Sequence, residues 1–262
     1  MFKTTLQAKV PGKIPSVEPD QGILTAAKGG GIVFIGRLFQ YGSRFLIALL
    51  TARLLGAEQL GLCSLALSAV FITSNLASLG LTAAMVRYVS LFANRRDTDR
   101  LWGTLQTGLG LTAVTSTLMG LGLFALADPI AEQLFHEPEL IPLLQIISLA
   151  IPFVASSDII VATAQGFKNM EYGVIGNNVS RPIIRLLLLL VLAIVGLNAS
   201  KAMIAFTIAA VITFFLLLYL LNNLFPLKQP LRTARRNVKE MLRFSLPLYL
   251  SNLIQTFGGN IQ

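Results

Sequence analysis

Three long stretches of this 262-residue chain contain no charged residue, and they restrict what the chain can become. They cover residues 59–86, 101–127 and 202–227, and each exceeds the roughly 20 residues with which an α-helix crosses about 30 Å of hydrocarbon. Only 13% of all residues are charged, which is about half the usual share in soluble domains. The sequence therefore predicts an all-α fold, a polytopic transmembrane helix bundle. It excludes a soluble enzyme, and the single Cys63 excludes a scaffold held by internal disulfides.

The apolar stretches and the turn residues between them predict six complete membrane helices plus the start of a seventh. The helices are expected at residues 30–55, 60–90, 101–127, 140–165, 172–197 and 202–225. We expect a cytoplasmic N-terminal tail at 1–27, the six-helix bundle at 28–227, a basic cytoplasmic loop at 228–243 and the start of helix 7 at 244–262. The second helix has a weak point at Ser78-Leu79-Gly80, and Pro152 predicts a bend in the fourth. Because the chain stops within the seventh segment, we interpret the sequence as cut off.

The net charge of +9 follows from where the basic residues lie between the predicted helices. When connections are assigned alternately to the two sides of the membrane, one side receives fourteen Lys and Arg residues and the other receives two. This distribution is typical of the positive-inside pattern and places the N-terminus in the cytoplasm. The net charge therefore reflects the orientation of the helices in the membrane. We expect membrane lipid as a partner and no nucleic acid.

Five further basic residues lie within or at the edge of predicted spans: Arg37, Arg44, Arg87, Arg181 and Arg185. Each costs about 2.5–3.5 kcal/mol at the bilayer centre, so several together need a reason. At 100° per residue Arg37 and Arg44 differ by about 20° after two turns, and Tyr41 lies on the same stripe. Both arginines are therefore predicted to line an internal cavity.

A second polar stripe is predicted on the fifth helix, where Arg181 and Arg185 are one turn apart and Asn177 and Asn178 precede them. These side chains cannot all face lipid, so they are expected to face other helices or water. Asp158 is the one acid within a predicted span. It is either a static ion-pair partner of Arg181 or Arg185, or part of a relay for a coupling ion or substrate.

No residues assemble a catalytic triad or a spacing typical of metal ligands. Gly29-Gly30-Gly31 lacks the Lys-Ser/Thr of a phosphate loop and leads into a membrane helix instead. We therefore expect a protein that is not an enzyme and that uses no cofactor and no metal.

Several short segments carry a resemblance to a known family. They are residues 52–66, 79–89 and 127–140, together with Leu242-Arg243-Phe244-Ser245-Leu246-Pro247-Leu248. Through these segments the chain resembles the bacterial oligosaccharide flippases, the polysaccharide biosynthesis proteins of the multidrug/oligosaccharidyl-lipid/polysaccharide exporter superfamily. The resemblance implies two six-helix halves that work by alternating access in the bacterial inner (plasma) membrane. This chain would hold the first half and the opening of helix 7.

The resemblance also implies a cargo, a polyprenyl-diphosphate-linked glycan that is moved from the inner to the outer leaflet for polysaccharide export. Other polysaccharide assembly proteins would be partners. Arginine suits a diphosphate because its planar fork of donors stays charged at physiological pH. Our hypothesis is that the substrate site consists of Arg37, Tyr41, Arg44, Arg181 and Arg185, with Asn177 and Asn178 donating to phosphate or sugar.

Three alternatives remain open at this point. A multidrug exporter of the same superfamily would be expected to offer acids to a cationic drug. A membrane glycosyltransferase or phosphotransferase would need acids that hold a metal, for which Asp97 and Asp99 are the candidates. An inactive truncated fragment is the third alternative.

Overall fold

Helices make up most of this protein in a computed structural model, which describes residues 19–194, 196–224, 241, 243–245, 247 and 249. The α-helices are α1 Pro19–Ser78, α2 Leu81–Arg95, α3 Thr98–Ala125, α4 Ala127–Pro129, α5 Leu140–Ser148, α6 Ile151–Gly166, α7 Glu171–Gly173, α8 Arg181–Ile194 and α9 Ala199–Leu224. Two π-helical segments, Ile130–Leu134 and Val174–Ser180, follow α4 and α7. The described part of the chain contains no strand, so the predicted all-α class is confirmed.

The first helix is longer than predicted and is divided by a glycine. It begins at Pro19, which suits a first turn because proline lacks an N–H that would have no partner there. At Gly56 the backbone leaves the helical region, with φ 79° and ψ 175°. Leu79 and Gly80 also have positive φ and separate α1 from α2. The predicted boundary between the first two helices and the weak point in the second are both confirmed.

The predicted bend in the fourth helix is confirmed as well. The predicted fourth helix corresponds to α5 and α6, whose axes differ by 44°. Pro152 lies in the first turn of α6, where its missing N–H and fixed φ are tolerated. In the interior of one straight helix the same proline would have removed a backbone hydrogen bond.

Within the described residues, four helical segments are long and apolar enough to cross a membrane: Phe34–Ser78, Thr98–Ala125, Glu171–Ile194 and Ala199–Asn223. The bent α5 and α6 pair is a fifth candidate. Phe34–Ser78 has 45 residues, more than twice what one crossing needs, and Gly56 divides it. Most of the predicted loop at 228–243 and of helix 7 at 244–262, and residues 1–18 of the predicted tail, lie outside the described residues.

Helix α6 lies at the centre of the bundle and packs against α2, α3 and α9. Close contact depends on small residues: a Cβ at Gly166 would lie 2.7 Å from the Cβ of Val89 on α2. Hydroxyl groups add bonds between helices, as where Thr115 Oγ1 on α3 donates to Ala77 O at 2.7 Å. The first contact holds α6, which carries Asp158, against α2, and the second holds α3 against α1.

Candidate functional site

Two glycines allow the π-helical segment Val174–Ser180 to sit tightly between α1 and α9. A Cβ at Gly36 on α1 would lie 2.5 Å from Val174 Cγ1 and 3.2 Å from Asn178 Nδ2. A Cβ at Gly176 would lie 2.6 Å from Leu217 Cδ2 on α9. Real Cβ atoms do not approach so closely, so a side chain at either position would force Val174 or Leu217 to move. These contacts fix the distance between α1 and the helix that follows the π-helical segment.

The π-helical segment runs directly into α8, whose first residue is Arg181. Its seven residues widen the helix and change the direction of the side chains that follow, a feature that often occurs at functional sites. The whole stretch Glu171–Ile194 forms one 24-residue candidate span. The polar residues that the sequence placed in the fifth helix therefore lie inside a helix that can cross the membrane.

Three of the four predicted arginines come together. Arg44 on α1 interacts electrostatically with both Arg181 and Arg185 on α8. The two α8 arginines are partly buried, whereas Arg44 is exposed beside them. We call Arg44, Arg181 and Arg185 the arginine cluster. Three like charges at such proximity repel one another, so the cluster is favourable mainly when an anion lies among them.

The guanidinium groups of the arginine cluster have donors that are not used. Arg181 Nε, Arg181 Nη2 and Arg185 Nε are buried and have no hydrogen-bond partner among the described residues. The Cζ of Arg185 lies 5.2 Å from the ring centroid of Phe206 on α9, so a π face rather than an acid covers part of it. A buried donor without a partner carries its full desolvation cost, about 1–3 kcal/mol or more for a charged group. Binding of an anion at these nitrogens would recover that cost.

Asp158 on α6 is the acid that interacts electrostatically with Arg181. The two form no ion pair within 4.0 Å in the described part of the chain. Asp158 Oδ1 accepts a hydrogen bond from Asn177 Nδ2 at 3.2 Å. Asn177 Oδ1 is buried and has no hydrogen-bond partner among the described residues. Asn177 therefore donates an amide hydrogen to Asp158, while its own amide oxygen accepts no hydrogen bond from the described residues. Both roles expected for Asp158, static partner and relay, stay predictions.

Arg37 and Tyr41 lie one turn apart on α1, on the stripe that the sequence predicted, and both are exposed. Neither has a hydrogen bond or an ion pair with any residue that the structure describes. Asn178 lies on the side of the π-helical segment that meets Gly36, whereas Asn177 turns to α6. Three of the four predicted arginines thus lie close together, and the substrate-binding roles of all four arginines, Tyr41, Asn177 and Asn178 stay predictions.

An open groove of about 370 Å³ lies between α2 and α6. It is lined by Thr82, Ala83, Val86, Asp158, Val161, Ala162 and Gln165, and we call it the α2–α6 groove. Sequence reasoning missed Thr82 and Gln165. A signal for Gln165 exists, because it follows Asp158 by seven residues and therefore lies within about 20° of it on the same helix face.

Asp97, one of the two acids that were candidates for a metal site, has another role in the structure. Asp97 accepts a hydrogen bond from Arg100 N at 3.2 Å and caps α3, and its Oδ2 lies 3.3 Å from Arg100 Nε. Among the described residues no three His, Cys, Asp or Glu side chains are grouped closely enough to hold a metal ion. Arg87, the remaining arginine near a predicted span, lies with its Cζ 4.2 Å from the ring centroid of Phe244.

Comparisons with known proteins agree with this architecture. The model of the family described as polysaccharide biosynthesis protein matches residues 26–262. The succinoglycan biosynthesis transport protein ExoT of Rhizobium meliloti (strain 1021) is 27% identical over 141 residues, which cover 54% of this chain and 26% of that relative. The alignment thus spans about a quarter of the relative's length. No solved structure matches the chain significantly.

Proposed function

Since the chain belongs to the polysaccharide biosynthesis protein family, we propose that it takes part in flipping a polyprenyl-diphosphate-linked oligosaccharide across the inner membrane of a bacterium. Movement would run from the inner to the outer leaflet by alternating access, with the N-terminus in the cytoplasm. The positive-inside charge distribution supports that orientation. The name of the matching relative, a succinoglycan biosynthesis transport protein, supports transport rather than catalysis.

The observation that carries the proposal is the arginine cluster. Buried donor nitrogens of Arg181 and Arg185 have no hydrogen-bond partner among the described residues, and both arginines lie in a helical segment long and apolar enough to cross a membrane. A diphosphate presents several anionic oxygens and must leave water to cross. Guanidinium groups replace the lost hydration with charge-assisted, bidentate hydrogen bonds. The prenyl chain needs no such site, because it remains in the hydrocarbon between helices.

The charge balance of the site disfavours the multidrug-exporter alternative. The cluster brings three guanidinium groups together, and Arg181 alone among them interacts electrostatically with Asp158, whose Oδ1 already accepts a hydrogen bond from Asn177. A cationic drug would be repelled by the cluster and would find one acceptor group at most. The transferase alternative has no support from Asp97, because that carboxylate caps α3 and pairs with Arg100.

The breaks in the helices support a mechanism with moving parts. Gly56 lies between the first two predicted spans, and Leu79-Gly80 and the α5–α6 bend interrupt the helical backbone within predicted spans. Hinges are typically such short, non-helical positions at the ends of rigid elements. We infer that these interruptions allow the bundle to open alternately to the two sides.

The test is export of glycan in cells whose chromosomal gene carries Arg44→Gln, Arg181→Gln or Arg185→Gln. We expect less surface polysaccharide and an accumulation of lipid-linked glycan in the inner leaflet. The matched control is Arg95→Gln, which removes an exposed arginine at the end of α2. Normal export by all three cluster variants, at wild-type protein levels, would exclude the proposed site.

A further inference from the structure

Asp158 contacts two different regions of the molecule. On one side its Oδ1 accepts a hydrogen bond from Asn177, which precedes Arg181 by one helical turn. On the other side it lines the α2–α6 groove. The groove is therefore adjacent to the arginine cluster and is linked to it through a single carboxylate.

The lining of the α2–α6 groove differs in chemistry from the arginine cluster. It offers a carboxylate, a hydroxyl and an amide from Asp158, Thr82 and Gln165, and no cationic side chain. The other lining residues are small and apolar, Ala83, Val86, Val161 and Ala162. Such a surface favours a neutral ligand that carries several hydroxyl donors on an apolar ring face.

Other ligand classes fit the groove less well. An anion would meet the carboxylate of Asp158, and a metal ion would find a single acid within the groove while Arg181 lies in electrostatic range. A purely apolar group would cover the polar groups of Asp158, Thr82 and Gln165 without forming hydrogen bonds to them, which is unfavourable. A volume of about 370 Å³ lies within the range of small-molecule sites.

We propose that the α2–α6 groove is a sugar subsite, which binds the hydroxyl groups of the sugar next to the diphosphate. This inference rests on the proposed function, because the diphosphate in the arginine cluster brings that sugar to Asp158. The two regions then divide recognition between them. The arginine cluster provides affinity for any prenyl diphosphate, and the groove distinguishes a glycosylated carrier from a bare one.

Two probes separate these contributions: farnesyl diphosphate and farnesyl diphosphate that carries one hexose. Their Kd values are measured for the purified protein in lipid nanodiscs, and the ratio of the two reports what the sugar adds. The variants Thr82→Val and Gln165→Leu each remove hydrogen-bonding groups from the groove while leaving the arginines in place. We expect each to reduce the advantage of the hexose about 2- to 10-fold, the effect of one lost hydrogen bond.

The variant Asp158→Asn gives a clearer test, because it is expected to strengthen binding of the diphosphate and to weaken the added effect of the hexose. Removal of the negative charge near Arg181 is expected to strengthen binding of farnesyl diphosphate. Loss of the carboxylate acceptor is expected to weaken the added effect of the hexose about tenfold. The matched control is Thr117→Val, which removes an exposed hydroxyl on α3 and should change neither Kd.

The outcomes distinguish failure of the subsite from failure of the proposed function. Equal binding of both probes by the wild type, or an unchanged ratio in all three groove variants, would overturn the sugar subsite and leave diphosphate binding intact. Binding of neither probe by the wild type would overturn the proposed function and the subsite with it. Retained affinity for farnesyl diphosphate in the groove variants shows that they are folded.

Discussion

The arginines of α8 and those of α1 have similar helical spacing but lie in different surroundings. Arg181 and Arg185 lie on α8, which packs against α1 and α9, and are partly buried, with donor nitrogens that have no hydrogen-bond partner among the described residues. Arg37 and Arg44 are exposed on α1, and Arg44 interacts electrostatically with the α8 pair. The comparison teaches that spacing puts two charges on one face, whereas neighbouring helices decide how much water each charge keeps. We therefore expect effects on ligand binding to decrease from α8 to Arg44 and then to Arg37.

The largest effect is expected for Arg181→Gln and Arg185→Gln. Each removes charge-assisted hydrogen bonds worth about 1.5–3 kcal/mol, so the affinity for farnesyl diphosphate should fall about 10- to 100-fold. Because each substitution also removes a buried donor nitrogen that has no hydrogen-bond partner among the described residues, the Tm without ligand should rise. Thermal unfolding with and without farnesyl diphosphate measures both, with Arg53→Gln, an exposed residue of α1, as control. A lower Tm without ligand would indicate that these arginines serve stability instead.

The contact that brings α1 and α8 together gives the next prediction. Gly36→Val places a side chain where even a Cβ would lie 2.5 Å from Val174 Cγ1. Overpacking of this kind costs about 1–3 kcal/mol, and separation of the helices should also weaken diphosphate binding. Gly42→Val is the matched control, because no atom lies within 4 Å of a Cβ at Gly42. Chemical denaturation in mixed micelles compares the two, and equal losses of stability would contradict the close packing at Gly36.

A smaller effect is expected for Arg44→Gln. This exposed guanidinium keeps much of its hydration, so its loss should reduce affinity for farnesyl diphosphate about fivefold. It also removes repulsion from Arg181 and Arg185, so the Tm of the unliganded protein should not fall. Titration at low and high salt measures the effect, since exposed charges are screened most strongly. An effect as large as that of Arg181→Gln would mean that the two helices contribute equally.

The smallest effect is expected for Arg37→Gln, which should change the affinity less than about threefold, as for an exposed surface substitution. The same titration, performed side by side with Arg44→Gln, measures it. If Arg37→Gln instead matches Arg44→Gln, the complete four-arginine site that the sequence predicts forms when ligand is bound. That result would remove the distinction between the two α1 arginines.

Much of the fold could be predicted because its causes are local in the chain. Long uncharged stretches must be helical in hydrocarbon, since no water is present to bind backbone groups. Breaks at Gly56 and Leu79-Gly80 and the bend before Pro152 follow from backbone preferences of individual residues. The π-helical segment Val174–Ser180 was not predicted, because it depends on close contacts of Gly36 and Gly176 with other helices.

The sequence by itself therefore determined that this chain is a multi-pass helical membrane protein with several arginines in candidate membrane spans, since charge and hydrophobicity act residue by residue. The tertiary structure alone decided which of those arginines meet, that Asn177 binds Asp158, and that Asp158 shares a groove with Thr82 and Gln165. These pairings join residues far apart in the chain, and helical periodicity defines the face of one helix without defining what lies opposite. Only packing between helices determines which charges keep their water and which require a ligand.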